Sequence, residues 1–542
     1  MPICIFEQLD ARRLCALSAS INFAPSGAPL APGYITDTGL VYGSRAGGRS
    51  FGWNVDNRAN ARDRNNVSSQ DQRYDTLNHL QKSSGLRWEI AVPNGAYRVR
   101  VVAGDPTFSG DVMRIDAEST QVVAGTTHAG RLWLDGWARV RVTDGRLTLR
   151  AGAGSVNAKL CFVEIQEAAP TLAERLDTAV RRAADVARQT INDLANDASR
   201  YVNYTKPDGR WNVIDNTRWT SGFWPGVLWQ LHRATGDASW KTSATRWTTP
   251  LANQTQKQGD LAFRFLPSYL PLYQHSKSSA DRAVLLKAAD AKMAMWNPTV
   301  GAFETTWFKT RTANPKANFA VLIDMTTDLE LLTWAHQETG IAAYRDRAEQ
   351  HMRLVTRTLV APDGGTRHFA MFDRATGEFV GNETYQGYAN NSTWARGQAW
   401  AIYSFTNMAR DTHNAEFLHA ACKVADFYLR NMPADGVPWW DFNDPRIPNT
   451  FRDTSAAAVV ASGLLRLAKL VTDPTTAARY RAGAETILTS LASTYLRPSG
   501  SPTRGLLSEG ALDIPTFPDS GNVSLIFGDY YFLEAVNQYT AR

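Results

Sequence analysis

The sequence predicts a multidomain chain, with an N-terminal all-β sandwich over residues 21–167 followed by an all-α toroid of helical hairpins over residues 171–542. Three observations carry this expectation. Apolar residues alternate with polar ones before Pro170 and recur at helical spacing after it. At 542 residues the chain exceeds the usual reach of one hydrophobic core. Apolar residues at 44% and charged residues at 20% describe an ordinary soluble protein with ample core material.

Residues 1–20 read as a tail or as the remnant of an export signal. Arg12 and Arg13 precede the small residues Ala16 to Ser20, but the apolar stretch is short and Glu7 and Asp10 interrupt the basic leader. Both readings stay open, with a secreted or periplasmic location preferred to a cytoplasmic one. No apolar run approaches the roughly 20 residues of a membrane span.

Trp88–Val92, Tyr97–Val102 and Ala138–Val142 alternate apolar and charged residues between Pro-Asn-Gly, Gly-Asp-Pro and Asp-Gly turns. Such runs put one face in a core and the other in water, and their spacing predicts a sandwich. Between Asp56 and Asp75 lie Arg58, Arg62, Arg64 and Arg73. That stretch reads as a solvated loop or as one that contacts an anion. Ala168-Ala169-Pro170 marks the seam. Thr171 and Glu174 then form a capping-box pattern, and helical periodicity continues to the C-terminus as about a dozen helices of mean length.

The segment Tyr385–Trp400 is the most informative stretch. It gathers Tyr385, Gln386, Tyr388, Trp394, Arg396, Gln398 and Trp400 and runs into an apolar helix. Flat aromatic faces suit the C–H faces of sugars, and a guanidinium suits a carboxylate. The segment reads as a sugar-acid site. Seventeen Trp in the chain favour carbohydrate recognition as well. The net charge of +6 is mild and fits a solvated surface or gentle attraction of an anionic substrate. No zinc-finger spacing, basic block or phosphate loop points to nucleic acid or nucleotides. Cys4, Cys15, Cys161 and Cys422 lack metal-binding or redox spacing, so no metal and no cofactor are expected.

Asp324 follows the apolar run Phe319–Ile323, so it reads either as a desolvated general acid or as the N-cap of a helix beginning at Met325. Asp260 is the second carboxyl candidate, able to keep such an acid protonated by like-charge repulsion.

Six blocks in order resemble the unsaturated glucuronyl hydrolases, glycoside hydrolase family 88. They are Trp219–Gly226, Gly259–Phe263, Leu322–Leu329, the Tyr385–Trp400 segment, Arg452–Ala458 and Gly528–Ala535. The resemblance covers about residues 172–542 and implies an (α/α)6 barrel with these blocks at one mouth. The implied substrate is an oligosaccharide ending in a 4,5-unsaturated uronic acid, as polysaccharide lyases leave it. Asp324 would protonate C4, and Asp260 would partner it and contact sugar hydroxyls. His368 and Gln386 would position water and ring substituents, Trp219 would stack, and Arg396, flanked by Trp394 and Trp400, would sit near the uronate carboxylate. By pattern alone His368 is a loop histidine. Two departures from the family pattern are Gly259, where His is common, and Asn390-Asn391, where an acidic pair is common. Residues 21–25 and 51–53 resemble malectin-like or galactose-binding-like modules. A lyase on the same toroid and a non-catalytic carbohydrate-binding protein are the competing classes. Oligomeric state is not legible.

Overall fold

The computed structural model describes residues 18–45, 48–255, 260–305 and 314–541. Cys4, Cys15, Gly259 and most of the tail fall outside this set. Contacts divide the chain into two compact units, Met1–Pro170 and Thr171–Arg542.

The first unit is a β-sandwich. One sheet orders its strands Trp133–Val142, Gly95–Gly104, Phe162–Glu167, Ser18–Phe23 and Ile35–Asp37. The other runs Thr120–Thr126, Val112–Ala117, Arg146–Ala151, Arg87–Ala91, Ser50–Trp53 and Gly43–Ser44. Inward residues of both sheets, among them Phe23, Phe51, Trp53, Trp88 and Val101, form one core. Buried Asp37 accepts the indole N–H groups of Trp53 and Trp88 at 2.8 and 2.9 Å, which satisfies three polar groups inside that core.

The arginine-rich segment is mostly self-satisfied. Arg58 pairs with Asp56, Arg64 with Asp105 and Arg73 with Asp71 at 2.6–2.7 Å. Arg62 donates to the carbonyls of Ala59 and Ala61. Asp63 and Thr76 pair in a small sheet through strands Ala61–Asp63 and Thr76–His79. The solvated-loop reading therefore fits better than an anion-contacting one.

The second unit alternates outer and inner helices. Among the described residues the outer ones are α1 (Leu172–Asp193), α3 (Ala238–Thr248), α5 (Ser279–Met293), α7 (Ala342–Leu359), α9 (Ala415–Asn431) and α11 (Pro474–Ser493). The inner ones are α2 (Phe223–Thr235), α4 (Leu261–Phe265 and Tyr269–Ser276), α6 (Asp328–Thr339), α8 (Ala395–Thr412), α10 (Thr454–Leu470) and α12 (Ile526–Thr540). Outer helices such as α1 and α7 bury one stripe, whereas α8 and α10 are buried nearly all round. Helix α12 packs on both α10 and α2, so the last inner helix meets the first and the ring closes. This is the expected α/α toroid with six hairpins.

Helix α1 starts with the expected capping box: Thr171 accepts the Glu174 amide, and the Glu174 carboxylate accepts the Thr171 amide. With a core of its own, the segment 171–542 should fold alone. Expressed by itself it should give cooperative unfolding and turn over a disaccharide. Insoluble or molten fragment would show that the sandwich completes the barrel's fold.

Candidate active site

Inner helices follow outer ones in antiparallel hairpins, so all six inner helices begin at the same mouth. Among the described residues, five of the sequence blocks reach those beginnings, and Gly528–Ala535 lies inside α12. Helix N-termini carry partial positive charge, which favours an anionic ligand there.

The sequence hid one device that builds the site. Strands Phe319–Leu322, Phe369–Phe372 and Phe379–Glu383 form an antiparallel sheet in which Leu322 pairs with Phe369 and Phe369 with Glu383. The residues just beyond this end of the sheet are Asp324, His368 and Tyr385-Gln386. Four-residue strands inside a helical pattern are too short for periodicity to separate from helix. For this reason His368 reads as a loop residue from sequence.

Asp324 begins a 3-10 turn, Asp324–Thr327, that leads into α6, and no side-chain cap bond is made there. Its Oδ1 is buried and has no hydrogen-bond partner. A buried carboxyl oxygen without a partner is costly in a resting protein. The cap reading of Asp324 does not hold.

His368 Nε2 faces Asp324 Oδ2 at 3.7 Å. On the other side of the ring, Nδ1 accepts the amides of Tyr385 and Gln386 at 3.2 and 3.3 Å and lies 3.2 Å from the Thr384 hydroxyl. A nitrogen ringed by donors carries no proton, so the hydrogen-bond network assigns the imidazole proton to Nε2, on the side of Asp324. The Trp394 ring packs against this ring at a tilt of 33°, with centroids 4.7 Å apart.

Asp260 is the carboxyl whose pKa is pushed up, to about 8, by burial first and then by the charges of Asp328 and Asp324. Burial and the neighbouring carboxylates favour its protonated form, which can donate a hydrogen bond. Its backbone is left-handed, with φ 67°. Trp219, half-buried, packs its ring 5.4 Å from those of Phe263 and Phe527. Gly222 lets this turn approach α4, since a Cβ there would meet the Arg264 and Phe263 carbonyl oxygens at 2.2 and 2.4 Å. Gln386 is half-buried and donates to the Leu512 carbonyl at 3.1 Å.

Three of the expected residues are held by partners within the barrel. Arg396 is a clamp: its guanidinium, 3% exposed, pairs with Asp453 at 2.9 Å and donates to the Ala511 and Leu512 carbonyls. It also stacks on Trp394 and Phe527. Trp400 is core, packed against Phe263 and Tyr531 at 4.9 and 5.4 Å. Trp394 is buried beside the His368 ring. The neighbouring blocks serve the same frame. Asp453 caps α10, and Asp529 accepts the amides of Leu506 and Leu507, fixing the loop whose carbonyls hold Arg396. Asn390 accepts the Thr384 amide, so this departure from the family pattern steadies the turn behind His368.

Sequence reasoning passed over Asp328 and Lys292, a buried ion pair at 2.8 Å directly behind Asp260. Asp328 follows Asp324 by four residues in a block already singled out, which was the available signal.

Comparison with known proteins bears on the family and the fold. The chain is 32% identical over 358 residues to the unsaturated glucuronyl hydrolase of Bacillus sp. (strain GL1), covering 64% of this chain and 93% of that one. It is 35% identical over 331 residues to the unsaturated glucuronyl hydrolase of Formosa agariphila, covering 60% and 80%. The crystal structure of the Bacillus sp. GL1 enzyme, described as responsible for the degradation of glycosaminoglycan, superposes with a TM-score of 0.63 at 30% identity over 68% of this chain and 97% of that one. Residues 183–488 match Glycosyl Hydrolase Family 88, and the chain belongs to that family.

Proposed function

We propose that this glycosidase removes the 4,5-unsaturated uronic acid from the non-reducing end of oligosaccharides made by polysaccharide lyases. The observation that carries the reading is the buried, unpartnered Oδ1 of Asp324, set beside His368 near the start of α6, with Asp260 as the neighbouring carboxyl.

In this scheme Asp324 gives its proton to C4 as the C4=C5 π pair forms the new C–H bond. Positive charge develops at C5 and is shared with the ring oxygen. Water adds at C5 and returns a proton to Asp324. The hemiketal then opens, the C1 hemiacetal collapses, and the neighbouring sugar leaves with one water consumed overall. Because displacement at the anomeric carbon never occurs, the carboxyl-separation rule of ordinary glycosidases does not apply. Asp260 donates a hydrogen bond to the substrate, His368 Nε2–H orients the Asp324 carboxyl, Trp219 offers a stacking face, and Gln386 lines the rim. The helix N-termini attract the uronate carboxylate, and Arg396 frames the site beside them.

Absorbance of the conjugated enoate, followed with a panel of lyase-made disaccharides, tests this. Absorbance should fall as the double bond is hydrated. A rise on intact polymer would establish a lyase instead, and binding without any change would leave a carbohydrate-binding protein.

The carboxyl and imidazole groups of this scheme need no metal, so activity should survive exhaustive chelation. Loss with EDTA and recovery on adding a divalent ion would overturn the scheme. Among the described residues no helix is long and apolar enough to cross a membrane. The sandwich, by its likeness to carbohydrate-binding modules, is proposed as an accessory domain.

A further inference from the structure

A residue with a Cβ adopts the left-handed conformation of Asp260 only against a steric penalty, so something must hold it there. Two grips do so. The Asp260 amide donates to Met325 Sδ at 3.2 Å, and the Ala262 amide donates to Asp328 Oδ1 at 2.7 Å. Met325 lies in the turn that Asp324 begins and Asp328 is the first residue of the helix it leads into, so one continuous segment carries Asp324 and also fixes Asp260. The second oxygen of Asp328 takes the Lys292 ammonium at 2.8 Å, and the side chains are 0% and 1% exposed. Lys292 reaches in from the outer helix α5. A pair this deep recovers little of its desolvation penalty. Stability alone is therefore a poor reason for it.

We propose that Asp328 and Lys292 are positioning residues for the hydrolysis: together they lock the Asp260 turn to the Asp324 turn and set the charge that Asp260 faces. The inference rests on Asp324 and Asp260 as the reacting pair. Asp260 faces Asp324 and Asp328 from the α6 side, Lys292 from α5 and Arg264 from its own helix. After burial, Asp328 is the strongest influence raising the Asp260 pKa, while Lys292 and Arg264 lower it.

The two partners therefore give opposite signatures. Asp328→Asn keeps an oxygen for the Ala262 amide but removes the negative charge and leaves Lys292 uncompensated. Asp260 should then lose its proton more readily, and the alkaline limb of kcat/KM on an unsaturated disaccharide should move down by about one pH unit. Lys292→Met should move the limb up. Each variant should lose roughly tenfold to a hundredfold in kcat with KM within about threefold, the pattern of a misplaced group. The double variant should recover about tenfold over the worse single, because the two changes are coupled.

Single variants with wild-type kcat and an unmoved pH profile would overturn the proposal. So would reduced kcat and Tm with the profile unmoved, since that is a merely structural role. If the singles do not fold, the double variant decides. Its limb should still move down, because Asp328 acts on Asp260 more strongly than Lys292 does, and an unmoved limb would sink the idea. Asp324→Asn serves as the control. Full activity there would overturn the underlying assignment, and its inactivity beside unmoved Asp328 variants would overturn only the positioning role.

Discussion

Replacing Asp324 by Asn should remove nearly all turnover while leaving disaccharide affinity within a few-fold of wild type. The amide keeps the shape of the carboxyl and its place beside His368, but it has no proton to give to C4. General acid–base catalysis contributes about 10²–10⁴-fold, and this single group serves as both acid and base in the proposed cycle, so the loss should lie at the upper end. The buried Oδ1 without a partner makes the structural side effect small, because no hydrogen bond to that atom is broken. Single-turnover absorbance traces separate chemistry from binding: the amplitude should persist while the rate falls. A rate within tenfold of wild type would end this mechanism. Asp260→Asn offers a contrast. Because Asp260 acts there as a neutral donor, an amide replaces part of its role and the loss should be smaller.

The fold was largely legible because its signals are repetitive. Alternation in the first unit and capping signals such as Thr171 with Glu174 in the second agree locally and globally. The carboxyl candidates were legible from surroundings, Asp324 by the apolar strand before it. The three-stranded sheet was not, and with it went the reason His368 meets Asp324. Short strands Phe319–Leu322 and Phe369–Phe372 are buried throughout and carry no alternation to read. Long-range pairing escaped in the same way. Nothing within Tyr385–Trp400 reveals that Arg396 meets Asp453, 57 residues on, or that Trp400 faces inward from a helix buried on all sides. An aromatic motif carrying one arginine has the same composition whether it touches substrate or holds the residues that do.

That distinction can be measured at Arg396. Its pair with Asp453 is 3% and 0% exposed, and removing one partner of such a pair destabilises by about 3–5 kcal/mol because the other charge is left buried alone. Arg396→Ala should therefore unfold the barrel at much lower denaturant. Arg396→Lys should lose less, since the charge remains, but an ammonium cannot hold Asp453, the Ala511 carbonyl and the Leu512 carbonyl as the planar fork does. The loop at Leu512 also anchors Gln386, so loosening the clamp should disturb the rim and lower kcat/KM without changing which substrate is preferred. Comparing the uronate with its methyl ester isolates this point. If Arg396 only braces the frame, wild type and Arg396→Lys should share one acid-to-ester ratio even as both rates fall together in the variant. A ratio that collapses in Arg396→Lys, at unchanged stability, would return the guanidinium to the carboxylate site and require the clamp to open when substrate binds.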